Sequence, residues 1–294
     1  MHFYKGTALR VVDWEPNVAV LDQEDLFAQG IDTSVLVAGA PRVNALGSCT
    51  ANAGTEGLSQ VLDLSDFCAL TGATSFADTV GAEKFAIRFY HACTDQTGNT
   101  TTEWPPTDCG SCGADVVTEL EGMSVNGHPV IAGDLVANGP DNIVSLMQSG
   151  GLIVGQEWFN AWMEPGPGGF IDGDGTTSAI QACISSGVAG GHETYWSAIE
   201  KVMLLPNGSV DTVNTIIRAR NSWTKSWGDN GSYRFHLSTF IAISNYCDFR
   251  QFQPYIPPVV NGQPITGSVS ATTSLTLPSF SEVMRAQNKQ LVSV

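Results

Sequence analysis

The chain has 294 residues, 43% of them hydrophobic, and a formal net charge of −16. That length holds one large domain or two small ones, with ample material for a core. The acidity excludes a nucleic-acid surface, which carries a basic footprint, and reads as solubility.

No stretch approaches the roughly 18 uninterrupted apolar residues of a membrane span. Met1-His2-Phe3-Tyr4-Lys5-Gly6 lacks the basic-then-apolar pattern of a secretory signal, so we expect a chain that is not exported. Residues 1–40 are mixed, with a short strand over 8–12 and a helical turn over 24–29. Pro16 and Gly30 punctuate them.

The most informative stretch is Leu46-Gly47-Ser48-Cys49-Thr50-Ala51-Asn52-Ala53, which opens a helix expected over 48–64. Ala51, Leu58, Val61 and Leu62 fall near one face, with Gly54 and Gly57 as weak points. A cysteine at a helix start is favoured as a thiolate by free backbone N–H groups and the positive dipole end. The thiolate is the nucleophile of covalent acyl chemistry.

Residues 82–93 fit a helix through Phe85, Phe89 and Ala92 but also alternate at Phe85, Ile87 and Phe89, which leaves helix and strand open. Residues 94–112 read as a long loop, followed by helices over 114–123 and 142–148. A strand starts at 152–154, and the aromatic run through Trp162 continues strand territory. Residues 164–177 form a turn carrying Asp172-Gly173-Asp174-Gly175. A calcium loop wants Gly sixth and Glu twelfth, where this chain has Thr177 and Cys183, so a solvated turn is the reading. Strands follow over 194–199, 201–205, 212–220 and 232–236, with Asn207-Gly208 as a hairpin turn and a helix over 238–245. From 254 a Pro-, Ser- and Thr-rich arm with few charges begins, with a short helix over 280–287.

There are seven cysteines. With Cys49 set aside, six remain, which permits three disulfides and requires none; without export, reduced thiols are the expectation. Cys109-Gly110-Ser111-Cys112 lacks the second C-x-x-C of a zinc site and reads as structural, a bridge to Cys93 being one option.

Two downstream stretches complete a chemical set. Gly190-Gly191-His192-Glu193 offers an imidazole behind two glycines that let the backbone come close, with Glu193 placed to tune its charge. His2, His91, His128 and His236 have no comparable setting. Ala219-Arg220-Asn221-Ser222-Trp223, then Ser226-Trp227-Gly228-Asp229-Asn230-Gly231, supplies a side-chain amide with two tryptophans to cover it. A Cys–His nucleophile and base oriented by an Asn is a known triad variant.

In this order and with these motifs, residues 40–250 resemble the papain-like (C1-type) cysteine peptidases. The resemblance implies an α+β, two-lobed fold, with a helical lobe carrying the nucleophile helix and an antiparallel β lobe carrying His and Asn. It implies residues 1–40 as an extended arm, 41–253 as the peptidase domain and 254–294 as a second arm. Cys49 is then the nucleophile, His192 the base and Asn221 the orienting amide, with Trp223 and Trp227 as cover and no metal or other cofactor required.

The family usually has Gln six residues before the nucleophile as an oxyanion donor; here that position is Val43, and Asn44 substitutes if the loop shifts by one residue. The lack of a signal resembles papain-like proteins encoded by bacterial viruses. That implies a peptide or protein substrate, a location in the virion or in host cytoplasm before assembly, and virion partners gripped by 254–294. Neither nucleic acid nor membrane is an expected partner. Two alternatives stand beside this reading: a structural virion protein on the same scaffold with weak or no activity, and a hydrolase of cell-wall peptide crosslinks.

Overall fold

In the computed structural model the described residues are 9–96, 108, 110–256, 259–260 and 263–264. The chain divides into two compact units, Met1–Ile256 and Pro257–Val294. In the second, Val259–Val260 pairs antiparallel with Gln263–Pro264. The helix expected over 280–287 lies outside the described residues.

Two hydrophobic cores organise the first unit. The first gathers four helices: α1 (Cys49–Val61), α2 (Leu64–Thr71), α3 (Thr79–Gln96) and α4 (Gly113–Gly122). α1 is its axle, buried on nearly every side from Thr50 to Ser59. The glycines that weaken its propensity are what let neighbours close on it. A Cβ at Gly54 would lie 3.0 Å from Val116 Cγ1, and one at Gly57 would lie 2.9 Å from Phe252. The ambiguity at 82–93 resolves as helix, with Phe85 and Phe89 stacked one turn apart at 5.4 Å. The segment ahead of α1 packs into the same core through Val18, Leu21, Leu26 and Ile31.

The second core lies on a seven-stranded sheet. Its strands are β1 (Val12–Asp13), β2 (Ile131–Val136), β3 (Leu152–Phe159), β4 (Val188–Lys201), β5 (Ile216–Arg220), β6 (Ser232–His236) and β7 (Asp248–Pro254). The order is β2-β7-β3-β4-β5-β6, with β1 on β4, and every pairing is antiparallel. Helices α5 (Pro140–Met147), α6 (Thr177–Ser185) and α7 (Leu237–Ala242) complete the unit's larger elements. Trp158, Trp162, Trp196 and Phe240 fill this core. The α+β, two-lobed layout expected from the sequence is the one observed.

Several local expectations give way. In place of strands over 201–205 and 212–215, a single Leu204–Val210 bridge closes the Asn207-Gly208 turn, where Asn207 Oδ1 accepts from the Ser209 N–H. α6 follows directly from the 164–177 turn, capped by Thr176, whose hydroxyl accepts from the Ala179 N–H. Of the two aspartates in that turn, Asp172 is buried and accepts from the His236 N–H and the Thr239 hydroxyl. Asp174 caps the turn at Thr176 instead. Cys93 and Cys112 are both free, so they do not form a bridge; Cys109 lies outside the described residues. No described helix is long and apolar enough to cross a membrane.

Candidate active site

Cys49 is the first residue of α1. Ser48 precedes it as N-cap but makes no cap bond, because its hydroxyl donates to Asn52 Oδ1 at 2.8 Å. The Asn52 amide in turn donates to both Glu83 carboxyl oxygens at 2.9 Å, and Glu83 also accepts from the Asp22 N–H. A buried polar chain thus anchors the turn that presents the thiol.

His192 lies in β4, opposite Gln156 of β3 in the register. Its Nε2 is 2.8 Å from Asn221 Oδ1, just past the end of β5. An amide oxygen only accepts, so Nε2 carries the proton and the neutral ring keeps its lone pair at Nδ1. The indole of Trp223 stacks on His192 at 4.6 Å, Trp158 meets it edge-on at 4.8 Å, and Trp227 packs against Trp223. Trp158 was not singled out by the sequence; its place in the strand next to the base is what makes it part of the cover. A Cβ at Gly190 or Gly191 would meet nothing within 4 Å, so these glycines do not serve close packing. Gly191 lines a cavity that Cys49 and His192 share, with a volume of about 610 Å³.

The structure brings Cys49, His192 and Asn221 together but leaves Asn44 out. Asn44 is exposed, its Oδ1 accepts from the Phe27 N–H at 2.8 Å, and it is absent from the cavity wall. Gln23, like Asn44 not among the described residues lining the cavity, bridges the two motifs by hydrogen bonds, and its Nε2 donates to Glu24 Oε1 at 3.5 Å. It is buried, its carbonyl accepts from the Leu46 N–H and its N–H donates to the Ser222 carbonyl. Its Oε1 accepts from the Ser222 hydroxyl at 2.8 Å. Gln23 therefore joins the approach to Cys49 with the residue after Asn221. The available sequence signal was a glutamine upstream of Val43; counting six residues back missed it because residues 24–45 intervene.

Burial sets the resting charges. It pushes the Cys49 thiol up to about 12, although the N–H groups of Glu193 and Thr50 pull the other way. Burial also brings His192 down to about 4, against the opposing pull of the Asn221 bond. Burial thus opposes charge on both the thiol and the imidazole, against the thiolate expected from the helix start alone.

No protein-family model matches the sequence, and no curated protein matches it. Among solved structures the chain is similar to xylellain, a cysteine protease from Xylella fastidiosa, with a TM-score of 0.49 at 16% identity, covering 85% of this chain and 88% of that one. It is similar to the digestive procathepsin L 3 of Tenebrio molitor larval midgut, with a TM-score of 0.46 at 13% identity over 84% and 72% of the two chains. A third is the bromelain protease from Ananas comosus, with a TM-score of 0.41 at 14% identity over 85% and 100%.

Proposed function

We propose that this chain is a papain-like cysteine peptidase that hydrolyses peptide bonds through Cys49, His192 and Asn221. The observation that carries the reading is the 2.8 Å His192–Asn221 bond, sealed beneath tryptophans, in the wall of the cavity that also holds the helix-start cysteine. As the thiol attacks the scissile carbonyl carbon, its proton passes to His192 Nδ1. Asn221 steadies the resulting imidazolium from the other side of the ring. The oxyanion is met by the Cys49 N–H and by the Gln23 side-chain amide. His192 then gives its proton to the leaving amine, which departs and leaves a thioester on Cys49. Water, deprotonated by His192, attacks the thioester and releases the acid and the free thiol.

The alternative of an inactive scaffold drew its support from Val43 and from the long C-terminal arm; a Gln23 oxyanion donor would answer the first of these. Beyond the chemistry, we assign the protein to a bacteriophage virion, with residues 254–294 holding a partner in the particle; the sequence resemblance supports this part. The catalytic reading is tested with a fluorogenic peptide library and an electrophilic thiol probe. Cys49→Ala should abolish both turnover and adduct formation at that site. Full turnover in the variant would remove the nucleophile. Mass spectrometry of purified particles tests the location.

A further inference from the structure

The catalytic steps leave Glu193 without a task. Its side chain lines the cavity and is 2% exposed, yet among the described residues Oε1 has no hydrogen-bond partner. A buried acceptor left unmatched costs on its own, and a charged one costs more. Two glycines keep this carboxyl uncovered. A Cβ at Gly113 would lie 3.0 Å from Oε1, and one at Gly155 would lie 3.4 Å from Oε2. Both glycines line the cavity, so its space reaches the carboxyl.

The other charged side chains among the described residues lining the cavity have one sign. Asp248 and Glu157 line the same cavity, and no lysine or arginine is among its described lining residues. The neighbouring cation, Arg250, is already held by Asp248 at 2.6 Å and Asp134 at 2.7 Å. The Glu193 N–H faces the Cys49 thiol, so the carboxyl lies within one residue's length of the nucleophile.

We propose that Glu193, supported by Asp248 and Glu157, is a subsite for a cationic side chain, and that the substrate is a peptide carrying arginine or lysine close to the cleaved bond. This rests on the peptidase reading above. A guanidinium gives Oε1 the donor it lacks, in a charge-assisted bond. While the site is empty, burial and then Asp248 hold the Glu193 carboxyl well above the usual range, with Arg250 pulling the other way. Burial thus favours the protonated carboxyl, and an arriving cation favours the charged one.

The test is calorimetric binding to the full chain carrying Cys49→Ser, which cannot turn over. Two blocked peptides are compared, identical except for arginine or norleucine at one position, with that position scanned. The arginine peptide should bind at least about tenfold tighter at one position. Glu193→Gln should bring it to the norleucine level. Should that variant not fold, Gly113→Ala, which crowds Oε1, should do the same. Equal affinities at every position, or an arginine preference that survives Glu193→Gln, would overturn the proposal. The peptidase reading fails separately, if the unmodified chain cleaves neither peptide, while the binding comparison still decides the subsite.

Discussion

Where the proton rests in the empty site can be measured directly. The thiol sits at about 12 and the imidazole at about 4. Moving the proton from sulfur to ring therefore costs on the order of 11 kcal/mol, at about 1.36 kcal/mol per pH unit. For a contact pair, attraction between the two charges would return about 4 kcal/mol, taking ~4 Å and an effective dielectric near 20. On these figures the neutral pair is favoured, and we expect the ion pair to form only as the sulfur attacks. The assay is the ultraviolet thiolate band, taken as the difference between the protein and Cys49→Ala, together with the nitrogen shifts of the His192 ring. From about pH 5 to about pH 8 we expect no thiolate band and a neutral ring protonated at Nε2. Turnover should fall at acid pH only as His192 takes a proton near 4, below its ordinary range. A thiolate band at neutral pH that vanishes in Cys49→Ala, with an imidazolium signal beside it, would refute the reasoning.

Three further outcomes follow from the same contacts. Gln23→Ala should lower turnover by about 10²-fold or more while Cys49 alkylation stays near its original rate, and Asn44→Ala should change neither. The reverse ranking would return the donor role to Asn44. Glu83, buried and near Glu56 and Asp22, keeps its proton to about 7 in the folded chain, with burial the largest cause. Its raised folded value means stability is fullest below about 4.5 and declines as pH rises through about 7, by up to on the order of 3 kcal/mol. Glu83→Gln should flatten urea midpoints across that window, and an unchanged slope would count against the assignment. Truncation after Ile256, where the first unit ends, should leave the melting temperature within a few degrees. A large loss would mean that residues 257–294 stabilise the unit.

Legibility in the sequence tracked how local each cause is. The nucleophile helix was readable because its start is written in adjacent residues, Gly47, Ser48 and Cys49. Its burial was not, since Gly54 and Gly57 look like defects until Val116 and Phe252 close on them. β7 went unread because Asp248 and Arg250 look solvent-facing. The strand pairs with neighbours on both sides and buries Phe249 and Phe252, while Arg250 is matched by Asp248 and by Asp134 of another strand. The upward pull on the Cys49 thiol was not legible for a related reason. A helix end is visible in sequence, whereas the burial that outweighs it is a property of both lobes.

The glutamine shows the limit of spacing as evidence. A motif distance stands in for geometry only while the intervening chain keeps its length. Here 25 residues separate Gln23 from Cys49 in place of the five that follow Val43. By loop-closure entropy that fivefold lengthening costs only about 1.4 kcal/mol. Burying Leu26 and Ile31 offsets it, at about 2 kcal/mol each. The excursion also closes on itself, with the Leu26 N–H bonded to the Asn44 carbonyl and the Leu46 N–H to that of Gln23. An insertion that buries its own apolar residues and returns to its starting point leaves Gln23 bonded to Leu46 and Ser222, where the proposed mechanism uses it. On the proposed mechanism, the place to look for a missing catalytic amide is therefore the last buried glutamine before such an excursion, which here is Gln23.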